Sequence, residues 1–118
     1  MRSAVAALAL GAALAFAPAS IARPIPLKGT VGPGFTIVLT SAAGKPVKSL
    51  KAGRYAITVT DKSAIHNFRL IGKGVNKEIT SIAFTGKKTI TVTLRAGRVI
   101  YQCDPHVSSM KGSFRVTR

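Results

Sequence analysis

Tyr101-Gln102-Cys103-Asp104-Pro105-His106-Val107-Ser108-Ser109-Met110 contains the only cysteine of the chain, one of its two histidines and one of its two methionines. The other histidine, His66, stands in Ile65-His66-Asn67-Phe68, 37 positions before Cys103. Taken singly, each residue has an ordinary reading. A lone buried cysteine packs as a small hydrophobe, and a methionine fills gaps. A histidine on a strand is commonly a satisfied core residue. Taken together, with no spare Cys or His in the chain, a thiolate, two imidazoles and a thioether read as the donor set of one metal site.

The donor types select the metal. Thiolate and thioether favour Cu(I), while imidazole also suits Cu(II), so a mixed set keeps both oxidation states accessible. A trigonal Cys-His-His set with a weak, long axial Met is the blue-copper arrangement. Structural zinc prefers four strong Cys or His ligands, and this chain supplies three. One copper ion, held by His66, Cys103, His106 and Met110, is therefore expected. The C-x2-H-x3-M spacing suits a strand that delivers Cys103 and a tight loop that folds His106 and Met110 back onto the same metal. Pro105 stiffens that loop by fixing a backbone dihedral. His66 must then come from a neighbouring strand.

Outward from this stretch the chain reads as strands and turns. Phe35, Ile37 and Leu39 alternate with Thr36, Val38 and Thr40. Tyr55, Ile57 and Val59 alternate with Ala56, Thr58 and Thr60, and Ile90, Val92 and Leu94 with Thr89, Thr91 and Thr93. Period-two alternation rich in β-branched residues marks half-buried strands. Turn signals separate them at Gly32-Pro33-Gly34, Ala43-Gly44-Lys45-Pro46, Thr85-Gly86-Lys87 and Ala96-Gly97-Arg98. Short strands at such spacing predict an all-β sandwich or barrel. By the same parity His66 shares a face with Phe68 and Leu70, and Cys103 with Val99 and Tyr101, so both donors point into the core. Leu50-Lys51-Ala52-Gly53-Arg54 recurs as Leu94-Arg95-Ala96-Gly97-Arg98, and reads as one tight turn entering two strands. Arg23 to Pro26 reads as a short extended lead-in, and Gly72 to Gly86 as the least regular part, a mobile flap.

The chain opens Met1-Arg2 and then runs without a charge from Ser3 to Ala22. A positive start, an apolar stretch and small residues at its end describe a secretory signal peptide over 1–22, with cleavage expected after Ala22 and a second small-x-small site at Ala17-Pro18-Ala19. The remaining 23–118 form one small domain. Export to the periplasm or the extracellular space follows. A single cysteine cannot close an intramolecular disulfide, and metal ligation accounts for an odd thiol in an exported protein.

Lys and Arg number 18 against only Asp61, Glu78 and Asp104; losing Arg2 with the leader leaves a net charge of +14. Such a surface attracts anionic partners: an acidic redox protein, or an anionic membrane or cell-wall surface. Nucleic acid is disfavoured. The cations form no block longer than Lys87-Lys88, and no Trp is present to stack on bases. A monomer is expected.

At this point the residues resemble a known family. His66-Asn67, followed by Tyr101-x-Cys103-x-Pro105-His106-x3-Met110-x-Gly112-x-Phe114-x-Val116, is similar to the cupredoxins of the plastocyanin type. The mature chain as a whole resembles small secreted bacterial cupredoxin-like domains, over most of Phe35 to Val116. The resemblance implies a Greek-key β-sandwich with copper near one end, under a loop carrying three of the ligands. It implies ligand roles for His66, Cys103, His106 and Met110. It also implies a hydrogen bond from the Asn67 backbone N–H to the thiolate, and an electron exit at the His106 ring edge. Two departures stand out: the H-x3-M loop is one residue shorter than the usual plastocyanin loop, and the surface is basic where plastocyanins carry acidic patches. Val107, Ser108 and Ser109 give a smaller, more polar mouth than a typical hydrophobic docking patch.

Three functions fit these residues. The first is a single-electron carrier outside the cytoplasm. The second is extracytoplasmic copper delivery or buffering with the same ligands; an exposed Met-rich or His-rich tract would favour it, and the sequence has neither. The third is a metal-free, cupredoxin-like surface-binding module. Catalysis on a substrate is not expected, because the chain has no paired carboxylates, no Ser-His-Asp set and no second cysteine.

Overall fold

Alternation along the strands builds the core. In the computed structural model, which describes residues 22–118 together with Ala4 and Gly11, β4 (Gly53–Asp61) buries Tyr55, Ile57 and Val59 and turns Arg54, Ala56, Thr58 and Thr60 outward. The other strands are β1 (Ile25–Val31), β2 (Ile37–Ser41), β3 (Ser49–Lys51), β5 (Phe68–Gly72), β6 (Val75–Thr80), β7 (Gly86–Leu94), β8 (Gly97–Gln102) and β9 (Lys111–Thr117). The leader expected over 1–22 lies almost entirely outside the described residues.

Two mixed sheets face each other. One has the order β2-β1-β4-β7 and the other β3-β9-β8-β5-β6. The chain crosses between them after β2, β3, β4, β6 and β7, giving the Greek-key sandwich that the family resemblance implies. Most neighbours are antiparallel, but β1 runs parallel to β4 and β3 parallel to β9. The shared core includes Leu27, Val31, Leu39, Ile57, Val59, Phe68, Leu70, Ile79, Leu94, Val99, Phe114 and Val116. Non-local pairing of this kind holds the strand ends rigidly, and the metal-donor residues sit at those ends. The repeated turn behaves as read, since Gly53 opens β4 and Gly97 opens β8, both with positive φ.

Three expectations are corrected. The segment from Arg23 to Pro26 is more than a lead-in, because Ile25 already begins β1, whose Leu27 and Val31 are fully buried. The stretch from Gly72 to Gly86 is not irregular throughout. It carries β6, which pairs with β5 from Phe68↔Thr80 to Gly72↔Val75 and buries Ile79 and Thr80. Phe35 is not an inward strand residue: β2 starts two residues later, and Phe35 is 59% exposed.

Candidate metal centre

Antiparallel pairing of β5 with β8 matches Arg69 with Gln102. This brings the chain just before β5 beside the chain just after β8, so His66 and Cys103 meet at one end of the second sheet. Both are fully buried, on the inward parity expected for them. After Cys103 the chain makes a single 3-10 turn, Asp104–His106, with Pro105 inside it. The His106 N–H donates to the Cys103 carbonyl at 3.1 Å, which folds the His106 ring back over the thiol. The loop then closes on itself. Met110 N–H donates to the His106 carbonyl at 2.8 Å, and Cys103 N–H to the Met110 carbonyl at 3.0 Å. Met110 thus lies beside Cys103 at the base of the β8–β9 loop, with its side chain fully buried.

The three nitrogen and sulfur donors converge. His66 Nδ1 and His106 Nδ1 are 3.1 Å apart, and Cys103 Sγ is 3.6 Å from each. All three lie within 4.8 Å of one another. A point in their plane equidistant from the three is about 2.0 Å from each, the length of a metal–imidazole bond (~2.0–2.1 Å). The only polar contacts of the His66 ring are to the other two donors, because its Nε2 is buried with no partner among the described residues. A triangle of this size would let all three donors hold a single ion. The residues present therefore suit the copper that their donor types select.

Phe35 is the site residue that sequence reasoning misplaced. It stands in the loop between β1 and β2, and its ring meets the edges of His66 and His106 at centroid distances of 5.3 and 4.9 Å. That loop is held against the His66 loop at Gly32, which takes a positive φ of 73°. A Cβ on Gly32 would come within 2.9 Å of the Ser63 Cβ and 3.4 Å of the His66 ring. His106 is only half buried, and Phe35, Val107 and Ile65, next in chain to His66, are exposed near it. The mouth is therefore more apolar than Val107, Ser108 and Ser109 alone imply.

The donor loops are fastened from behind by a polar network. The Asp104 N–H donates to Asn67 Oδ1 at 2.7 Å, and Asn67 Nδ2 donates to Glu78 Oε2 at 2.8 Å and to Asp104 Oδ2 at 2.9 Å. Arg69 Nε donates to the same Asp104 oxygen at 2.8 Å and its guanidinium lies 3.5 Å from Glu78, while Gln102 Nε2 donates to Asp104 Oδ1 at 3.0 Å. Partial burial pushes the Asp104 carboxyl up. The hydrogen bonds from Gln102, Arg69 and Asn67, with the charge of Arg69, outweigh burial and hold it below the usual carboxylate range. The third acid, Asp61, accepts from the Ser63 N–H at 3.1 Å in the loop leading to His66. All three carboxylates of a strongly cationic chain thus brace the two donor loops. The expected bond from the Asn67 backbone N–H to the thiolate is not among the hydrogen bonds of the described residues; the Asn67 side chain does the fastening.

Asn67 joins the residue after His66 to the residue after Cys103, so its loss should be felt in the whole fold. In Asn67→Ala, the Asp104 N–H and part of both carboxylates lose partners in a part-buried position, which costs about 1–3 kcal/mol. Urea unfolding of the metal-free protein measures this directly. An unchanged midpoint would show that water replaces the side chain at no cost.

No family model and no curated protein sequence matches the chain. Solved structures do. Rusticyanin from Thiobacillus ferrooxidans is 19% identical over 82% of this chain and 79% of that one, with a TM-score of 0.60. Reduced rusticyanin is 20% identical over 83% of this chain and 82% of that one, at the same TM-score. A Cu(I) form of an amicyanin mutant is 16% identical over 78% and 82%, with a TM-score of 0.50. Rusticyanin is described as a copper protein. At these identities the shared feature is the architecture: the fold of this chain is that of the cupredoxins.

Proposed function

We propose that the chain is an exported single-electron carrier with one copper ion held by His66, Cys103 and His106, and by Met110 as a weak axial donor. The observation that carries this reading is the triangle of Nδ1, Nδ1 and Sγ closed to 3.1–3.6 Å. When bound, copper supplies a one-electron couple between Cu(I) and Cu(II). The protein's part is to keep the donors still. Cys103 and His66 stand at the ends of paired strands, and the Asn67–Asp104–Arg69 network ties their backbones together, so little rearrangement accompanies a change of charge. Half-buried His106, with Phe35 across its ring edge, is the side through which electrons leave. Spectroelectrochemistry of the copper-loaded protein tests the function; a reversible one-electron wave is expected, and copper loss on reduction would contradict it.

Complete burial of Cys103 and His66 opposes ready exchange of metal, which favours the electron carrier over a delivery or buffering protein. Met110 is the ligand that tunes. A weak axial donor shapes the potential more than it retains the metal, so Met110→Leu should keep copper and colour and change the reduction potential. If that variant lost copper as completely as a variant without the thiol, Met110 would be a primary ligand instead.

The uncharged run from Ser3 to Ala22 supports reading 1–22 as a cleaved leader and the protein as exported, and N-terminal sequencing of the exported form should begin at Arg23. The basic surface suits an acidic redox partner. Lys73, Lys77, Lys87, Lys88 and Lys111 are all exposed, and Lys111 follows Met110 directly. Steering by such charges is screened over roughly 8–10 Å in physiological salt, so electron exchange with an acidic carrier should slow steeply as salt rises. Stopped-flow rates across a salt series measure this, and a rate indifferent to salt would leave the charge as a property of solubility alone.

A further inference from the structure

The three acids of the chain are all committed near the metal pole, and the ion pairs among the described residues are those of Arg69 with Glu78 and Asp104. Among the described residues the other cations form no ion pair with a carboxylate, and three of them converge. On the outer face of the second sheet, Arg98 of β8 stands directly opposite Arg115 of β9. Lys48, just before β3, is drawn alongside by the Arg115 N–H, which donates to the Lys48 carbonyl at 3.2 Å. With Ser113 and Phe114 they line an open concavity of about 260 Å³. Like charges directly opposite on neighbouring strands destabilise a sheet. This pair has a third cation beside it and no acid to relieve it.

We propose that this concavity is an oxyanion site that takes a phosphate-class group through Lys48, Arg98, Arg115 and the Ser113 hydroxyl. Guanidinium forks match the spacing of phosphate oxygens and bind them bidentately. Arg98 donates to Ser113 Oγ at 3.3 Å, which aims the guanidinium across the concavity and leaves the hydroxyl hydrogen as a further donor. The volume lies below the range of roughly 300–1,000 Å³ for organic-ligand pockets, a size that suits a small anion or a phosphate headgroup. Arg98 is on the opposite face of β8 from Cys103 and five residues before it, roughly 16 Å along the strand. An anion held here leaves the His106 and Phe35 end open, so attachment and electron exchange use different parts of the surface.

Calorimetric titration and thermal melting of the mature protein against sodium phosphate, with ionic strength held constant by chloride, test the site. Phosphate should bind and raise the melting temperature of the native protein. In Arg98→Gln the affinity should fall roughly tenfold or more, the loss of a charge-assisted hydrogen bond. The same variant should melt no lower than the native protein in chloride alone, since the substitution removes a repulsion. Lys28→Gln/Lys87→Gln, on the other sheet, should respond to phosphate as the native protein does. Sedimentation with phosphatidylglycerol vesicles separates the sources. Retention that Arg98→Gln/Arg115→Gln abolishes assigns a lipid headgroup, and phosphate binding without retention assigns a soluble phosphate. If the double variant responds to phosphate like the native protein, the effect is general screening of a cationic surface and the site is overturned.

Discussion

Cys103→Ser should leave a folded protein that no longer binds copper strongly and shows no intense visible absorption with Cu(II). The thiolate is the only soft anionic donor in the triangle, and a serine hydroxyl stays protonated and hard at neutral pH. Two imidazoles and the weak thioether of Met110 remain, all neutral, so the anionic sulfur that holds both oxidation states tightly is gone. Removing a partner that merely orients a metal ligand costs about 10–100-fold in affinity, so removing the ligand itself should exceed that range. The fold should survive, because Cys103 is a small side chain and its backbone bonds to His106 and Met110 do not depend on sulfur. Competition with a Cu(I) chelator gives the affinity, and melting with and without copper separates metal loss from unfolding. A serine variant that kept native affinity would remove Cys103 from the site.

Gly112→Ala should be the most damaging single methyl in the second sheet. Gly112 pairs with Tyr101 across β8 and β9, and the Tyr101 ring lies over it. A Cβ at this position would fall on the ring, against Cζ, Oη and Cε2. Aromatic neighbours limit how the ring can move: it stacks on Phe68 at 5.8 Å with planes 7° apart, and Phe114 stands 6.4 Å away. Overpacking typically costs about 1–3 kcal/mol, and overlap with three atoms of an aromatic side chain places this case near the top of that range. For a domain of this size about 3 kcal/mol lowers Tm by roughly 12–24 °C. Tyr101 is two residues before Cys103, so copper affinity should fall as well. Combining Gly112→Ala with Tyr101→Ala should recover part of the loss, since the clash is shared between the two. A Gly112→Ala protein melting within a degree or two of the native one would mean that the strands part here without strain.

Local pattern carried the strands that have clean alternation. β4 and β7 were readable because Tyr55, Ile57 and Val59, and Ile90, Val92 and Leu94, alternate with residues that are mostly threonine. β1 was not, since Pro26 reads as a strand breaker, Gly29 leaves an inward position without a side chain, and its burial of Leu27 and Val31 depends on parallel pairing with β4, a long-range contact. β6 was hidden in the same way: only Val75 and Ile79 are apolar, and pairing with β5 decides the rest. The donors were legible through rarity, one Cys and two His in the whole chain, and the tight spacing of Cys103, His106 and Met110 fixed the loop. Asn67 and Arg69 are common polar residues that meet Asp104 only through the register of β5 with β8, and Glu78 joins them only through the pairing of β6 with β5. One signal was available, because a chain with three acids that places one of them beside its only cysteine is using that charge locally. Phe35 was misplaced because its parity with Ile37 and Leu39 is correct in sequence, while the strand itself starts after it.

The most direct measurement is a titration of the mature, metal-free protein with Cu(II), followed by its visible spectrum. One equivalent should bind and give an intense thiolate-to-copper charge-transfer band that saturates at one ion per chain. A colourless or weakly coloured form would show that the three donors do not hold copper as a blue centre.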